Sequence, residues 1–166
     1  MGVGVISVVM ILVISWIGQN RVLAYKITED NGLVDNIYYN VKIGRHQKDV
    51  RDLAINITRG CNNSEGCYFW MIYHYLEEFD YVYPEEGTVY SPLETIRTKS
   101  GDCKNMVVTF CSMMRSVGQD CYWSINREES HIVALTYVHD KLKVVDLASD
   151  FTMEVDEPNE YWEKYF

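Results

Sequence analysis

One stretch constrains this chain more than any other: Ser100-Gly101-Asp102-Cys103-Lys104-Asn105, followed by Met106-Val107-Val108-Thr109-Phe110-Cys111-Ser112-Met113-Met114-Arg115. Met106, Val107, Phe110, Cys111, Met113, Met114 and Val117 cover more than one face of a helix running from Asp102 to about Val117, where Gly118 ends it. A helix that is apolar on several faces has to be surrounded, so this is the central helix of a domain. Asp102 suits the N-cap, which puts Cys103 in the first turn. Unpaired N–H groups and partial positive charge there favour a thiolate. The expectation is a nucleophilic cysteine carried on a buried helix.

The flanking segments supply neighbours for that helix. His46 to Thr58 places Val50, Leu53, Ala54 and Ile57 on one helical face. A stop at Arg59 to Asn63 follows, with Ser64 as the next N-cap. Cys67 to Phe79 reads as a second helix, with Cys67, Trp70, Met71, His74 and Tyr75 along one face, so the two form a helical hairpin. His46 reads as solvated and His74 as a packing residue. Tyr81-Val82-Tyr83 leads out through Pro84. Ser91-Pro92-Leu93-Glu94 opens a short helix, with Ser91 as cap and Pro92 at the first helical position. After Gly118, Asp120 to Ile125, His131 to Val138 and Lys141 to Leu147 read as strands, with His139-Asp140 as a hairpin turn. The class is α+β, with helices first and then an antiparallel sheet packed on the Cys103 helix.

Upstream, residues 3–17 carry no charge, a length at the lower limit of a membrane anchor and the upper limit of a signal-peptide core. The organisation expected is an anchor or signal over 1–24, a linker over 25–45 and one domain over 46–166. Arg21 and Lys26 follow the run, which by the charge rule turns the domain toward the cytoplasm. The sequons at Asn56 and Asn62 and an odd count of five cysteines suit an exported domain instead. The expectation is a single-pass anchored or secreted protein with an extracytoplasmic domain and its orientation open. With Cys103 free, Cys61/Cys67 and Cys111/Cys121 are pairs the others can form, and a fully reduced chain is the alternative. A formal charge of −9 excludes a general nucleic-acid binder, which needs a basic face.

A cysteine at a helix start, His131 at a strand start and Asp146 late in the next strand can meet in space. Folding the hairpin at His139-Asp140 brings His131 near positions 146–150 of the neighbouring strand. Cys103 is then the nucleophile, His131 the base and Asp146 the carboxylate that orients the imidazole. A thiolate–imidazolium pair is expected, each charge favouring the other. A zinc site from Cys103, Cys111, Cys121 and His131 is an alternative, but it lacks the close ligand pairs of structural zinc sites.

These residues resemble the transglutaminase-like superfamily, the group related to papain by a circular shift in element order. The resemblance rests on Gly101-Asp102-Cys103 opening a helix, that helix ending in Arg115-Ser116-Val117-Gly118, His131 opening a strand and Asp146 in the next. It spans roughly His46 to Asp150, including the lead-in Tyr81-Val82-Tyr83. It implies acyl transfer on peptide or glutamine-type amides through a Cys103 thioester, with no metal or organic cofactor and a protein or peptide as substrate. The Cys103 N–H would hold the oxyanion with a second donor, for which Trp123 and Gln119 are candidates. Hydrolysis is the favoured outcome; protein cross-linking, or an inactive membrane-tethered peptide-binding module, are the alternatives. Family members often carry His-Ala-Trp and Asp-Pro-Thr where this chain has His131-Ile132-Val133 and Asp146-Leu147-Ala148. The acyl acceptor therefore stays open.

Overall fold

The computed structural model describes residues 31–84, 88–126 and 130–155. These form, in order, α1 (Asn31–Gly44), α2 (Lys48–Ile57), α3 (Glu65–Glu77), β1 (Asp80–Tyr81), α4 (Pro92–Thr98), β2 (Ser100–Gly101), α5 (Cys103–Ser116), β3 (Cys121–Asn126), β4 (His131–Val138), β5 (Lys141–Asp146) and β6 (Phe151–Val155). The result is the α+β arrangement expected: helices first, then an antiparallel meander in the order β3-β4-β5-β6. The apolar run 3–17 and the anchor or signal assigned to it lie outside the described residues. Among the described residues no helix is long and apolar enough to cross a membrane.

Helix α5 is enclosed as its composition requires. Every residue from Asn105 to Met114 is buried. Helices α1 to α4 and strands β3 and β4 all pack against it. Its buried hydroxyls satisfy themselves locally: Thr109 Oγ1 donates to the Asn105 carbonyl and Ser112 Oγ to that of Val108, each at 2.7 Å. Burying hydroxyls without such partners would cost a few kcal/mol each.

Two readings of the helical half need correction. Of the stretch read as a linker, residues 31–44 are α1, which packs on α5 through Ile37 and Val41, with Gly44 buried at its end. Asn31-Gly32 marks the beginning of a helix rather than a turn in an extended segment. In α3 the buried face is Phe69, Ile72, Tyr73 and Leu76, while Trp70, Met71 and His74 are exposed. Aromatic residues occupy both faces, so spacing alone chose the wrong stripe. In α2 the expected face holds: Val50 and Ala54 are buried, and Leu53 and Ile57 pack against the core.

Gly44 marks a close approach of α1 to the rest of the core. A Cβ there would stand 2.3 Å from Ser112 Oγ, 2.5 Å from Pro92 Cγ and 2.8 Å from Ser112 Cβ. Gly44→Ala is expected to destabilise the domain by about 1–3 kcal/mol, the usual cost of overpacking, read as a lower urea midpoint. An unchanged midpoint would contradict this packing.

Both disulfides are those that a free Cys103 leaves available: Cys61–Cys67 and Cys111–Cys121. The first closes the α2–α3 turn, where Asn62 and Asn63 take left-handed backbone angles and Ser64 caps α3 by accepting from the Cys67 N–H. The second ties the last turns of α5 to the first residue of β3. The β4–β5 hairpin turns at His139-Asp140, both with positive φ (51° and 64°), as a two-residue hairpin of matching twist requires. The strand β6, not anticipated from the sequence, continues the meander, and its Glu154 receives Lys141 and Lys143 of β5 at 2.5 Å each.

Candidate active site

Three local structures converge at one end of α5. The first is its N-terminus. Asp102 caps the helix by accepting from the Asn105 N–H at 3.1 Å, and its other oxygen pairs with Lys104. The cap makes Cys103 the first residue of the helix. It is the only free cysteine among the described residues and is 6 % exposed.

The second is the open end of the β4–β5 hairpin. Ala134 pairs with Val145, so His131 and Asp146 lie diagonally on the same face of neighbouring strands, within reach of long side chains. The His131 Nε2 bonds Asp146 Oδ2 at 2.8 Å. A carboxylate can only accept, so Nε2 carries the proton and Nδ1 is the ring nitrogen left to take one. The second oxygen of Asp146 accepts from the Ala148 N–H at 3.0 Å, which fixes the carboxylate from the turn that follows β5.

The third is the short parallel pair β1–β2. Asp80 pairs with Ser100 and Tyr81 with Gly101. The Asp80 N–H donates to the Lys99 carbonyl at 2.9 Å, and that of Val82 to Gly101 at 3.0 Å. This pins Tyr81 beside the segment running into Cys103. Gly101 itself sits close against α5, since a Cβ there would lie 2.7 Å from the Asn105 Cβ. Asn105 in turn receives the Tyr90 N–H at 2.7 Å, anchoring the chain ahead of α4.

The structure thus joins His131 to Asp146 directly and brings Cys103 to the start of β4, near enough to Ile132 for its backbone N–H to act on the sulfur. No hydrogen bond of standard geometry links Cys103 to His131 among the described residues. The thiol differs from expectation. Burial pushes it up, and the Asp102 carboxylate adds to this; the Ile132 N–H, the Lys104 ammonium and the Tyr81 hydroxyl act in the opposite direction. The largest of these influences is the loss of hydration, which disfavours the thiolate.

Asp102→Asn removes the adjacent negative charge and keeps a side chain that can cap. The rate of Cys103 alkylation by iodoacetamide is expected to rise at neutral pH, its pH profile moving to lower pH. An unmoved profile would show that the Asp102 carboxylate does not act on the thiol.

Other sequence candidates fall elsewhere. His46 is exposed and receives Arg45 Nε at 3.0 Å. His74 is exposed, bonded to Glu77 at 2.9 Å and stacked on Trp70. Cys111 and Cys121 are consumed by their disulfide, which removes the zinc alternative. Neither proposed second oxyanion donor is near Cys103. Gln119 follows the far end of α5, its N–H on the Met114 carbonyl, and Trp123 faces Arg115 in the last turn. A helix of this length, 14 residues, separates its ends by about 20 Å. The residue missed was Tyr81. Its phenol is pushed above its ordinary value by burial and then by Cys103, whose side chain and backbone are both close enough to act on it. The sequence marked Tyr81 only as part of the lead-in Tyr81-Val82-Tyr83 and gave it no role, because the parallel β1–β2 pair spans only two residues.

None of the curated proteins matches the chain in sequence. Among solved structures, a candidate cysteine protease from Cytophaga hutchinsonii superposes with a TM-score of 0.51 at 12% identity, over 64% of this chain and 40% of that one. A candidate protease from Parabacteroides distasonis gives 0.52 at 12% identity, over 74% of this chain and 30% of that one. The chain therefore spans well under half the length of either. At this identity the likeness is one of fold. The model of the transglutaminase-like superfamily matches residues 51–152, which run from α2 through β6 and include Cys103, His131 and Asp146. This chain belongs to the transglutaminase-like superfamily.

Proposed function

We propose that Cys103, His131 and Asp146 act as nucleophile, base and orienting carboxylate of a cysteine hydrolase that cleaves peptide or glutamine-type amides. The observation that carries this reading is the 2.8 Å His131–Asp146 bond between β4 and β5, at the end of the sheet that meets the free thiol at the start of α5. The protease names of the two superposed structures favour a protein or peptide substrate.

The raised thiol gives His131 a definite task. As the Cys103 sulfur bonds to the amide carbon, the thiol proton passes to His131 Nδ1, and Asp146 stabilises the imidazolium through Nε2. The tetrahedral oxyanion collapses, the C–N bond breaks and His131 returns the proton to the leaving nitrogen. Water, deprotonated by the same imidazole, then splits the thioester and restores the thiol. The two disulfides support an oxidising, extracytoplasmic location for the domain, delivered there by the apolar segment 3–17, and the sequon asparagines Asn56 and Asn62 are exposed.

The test is turnover of a library of glutamine-containing and other peptides, with and without an added primary amine, by wild type and Cys103→Ala. Free acid and ammonia or a shortened peptide are expected from wild type only. Amine incorporation in place of acid would replace hydrolysis by cross-linking, and equal turnover by Cys103→Ala would end the thioester reading.

A further inference from the structure

We propose that Tyr81 supplies the second donor of the oxyanion hole, its phenolic O–H acting beside the Cys103 backbone N–H. This rests on Cys103 being the nucleophile and completes that site. An oxyanion formed on attack has to sit within hydrogen-bond reach of the Cys103 N–H, on a carbon bonded to the Cys103 sulfur. Tyr81 pairs with Gly101, two residues ahead of Cys103, and its phenol is close enough to Cys103 for the side chain and the backbone there both to act on it. It therefore occupies the position next to that of a substrate carbonyl oxygen, and a small displacement converts its contact with the thiol into donation to the oxyanion.

Two further features suit Tyr81 to this task. Its backbone is fixed by pairing with Gly101, and by flanking bonds from Asp80 to Lys99 and from Val82 to Gly101, so the donor is in place before substrate arrives. Its ring packs edge-on against Tyr83 at 5.2 Å, and 38 % of the residue is exposed, so the side chain reaches from solvent toward Cys103. The phenol stays protonated well beyond neutral pH, as a donor must. The Ile132 N–H is the other donor near the sulfur, but Tyr81 is also close to the Cys103 backbone.

The test compares two reactions of the same sulfur in the full chain. Acylation by p-nitrophenyl acetate forms an S–C bond, passes through an oxyanion and expels p-nitrophenolate, leaving acetyl on Cys103. Alkylation by iodoacetamide forms an S–C bond and expels iodide without any oxyanion. Taking the ratio of the two rates at one pH cancels the thiolate fraction, which loss of the Tyr81 hydroxyl also changes. In Tyr81→Phe this ratio is expected to fall at least tenfold, and by up to about 10²–10³ if the donor is worth what other oxyanion donors are. Alkylation proceeding in the variant shows that the site is intact. A ratio within twofold of wild type, or a higher one, overturns the assignment of Tyr81 alone. Failure of wild-type Cys103 to be acylated at all removes the thioester reading and this proposal with it.

Discussion

His131→Ala is expected to slow the acylation of Cys103 by p-nitrophenyl acetate by about 10²–10⁴-fold, the usual contribution of a positioned general base. The effect should be large because burial and Asp102 both disfavour the thiolate. Attack then depends on a group that accepts the proton as the S–C bond forms. Asp146→Asn should act in the same direction. An amide in place of the carboxylate can present N–H to Nε2, which favours the wrong tautomer and takes the lone pair away from Nδ1; the loss can reach about 10⁴-fold. Both variants should keep the wild-type unfolding midpoint to within roughly 1 kcal/mol, since the pair is only partly buried. Wild-type acylation rates in His131→Ala would mean that Cys103 reacts without a base.

The second large effect concerns stability. Removing the Cys111–Cys121 bond as Cys111→Ala/Cys121→Ala should cost about 3 kcal/mol, the chain-entropy value for a loop of this length, with sequence separation 10. Both cysteines are fully buried, so the lost sulfur contacts add to this cost. The bond joins the central helix to the first strand of the sheet, and the site needs both, because Cys103 is on one and His131 pairs through β3 beside the other. The Cys61–Cys67 bond closes a shorter loop of separation 6, and its removal should cost about 2 kcal/mol. Urea titrations of the two double variants measure the difference. Equal midpoints for the first variant and wild type would show that packing alone holds α5 to the sheet.

What could be read from the sequence follows physical rules of short range. Helix α5 was legible because Met106 to Met114 admit no exposed face, and the β4–β5 hairpin because two short runs rich in β-branched residues flank a turn that accepts positive φ. That turn fixes the register, and the register places His131 beside Asp146, so this part of the site was encoded locally. Helix α1 was not legible. Its buried contacts, Ile37 and Val41 with Gly44 at the end, lie among exposed Tyr38 and Tyr39, and Asn31-Gly32 at its start reads as a turn. Its existence depends on α5 being there to receive it. The face of α3 was misread because Trp70 and Tyr75 compete with Phe69 and Tyr73 in the same 13 residues. The state of the Cys103 thiol and the part played by Tyr81 depend on burial and on a two-residue parallel pair formed by segments some 20 residues apart. No spacing rule reports either.

The central claim is that Cys103 is acylated with His131 as its base. It is tested most directly by mass-spectrometric peptide mapping after a brief exposure to p-nitrophenyl acetate. The expected result is one acetyl group on Cys103 in wild type, formed at least a hundredfold more slowly in His131→Ala, and lost again on standing in water. Acetylation confined to lysines, or on Cys103 at equal rates in both proteins, would contradict it.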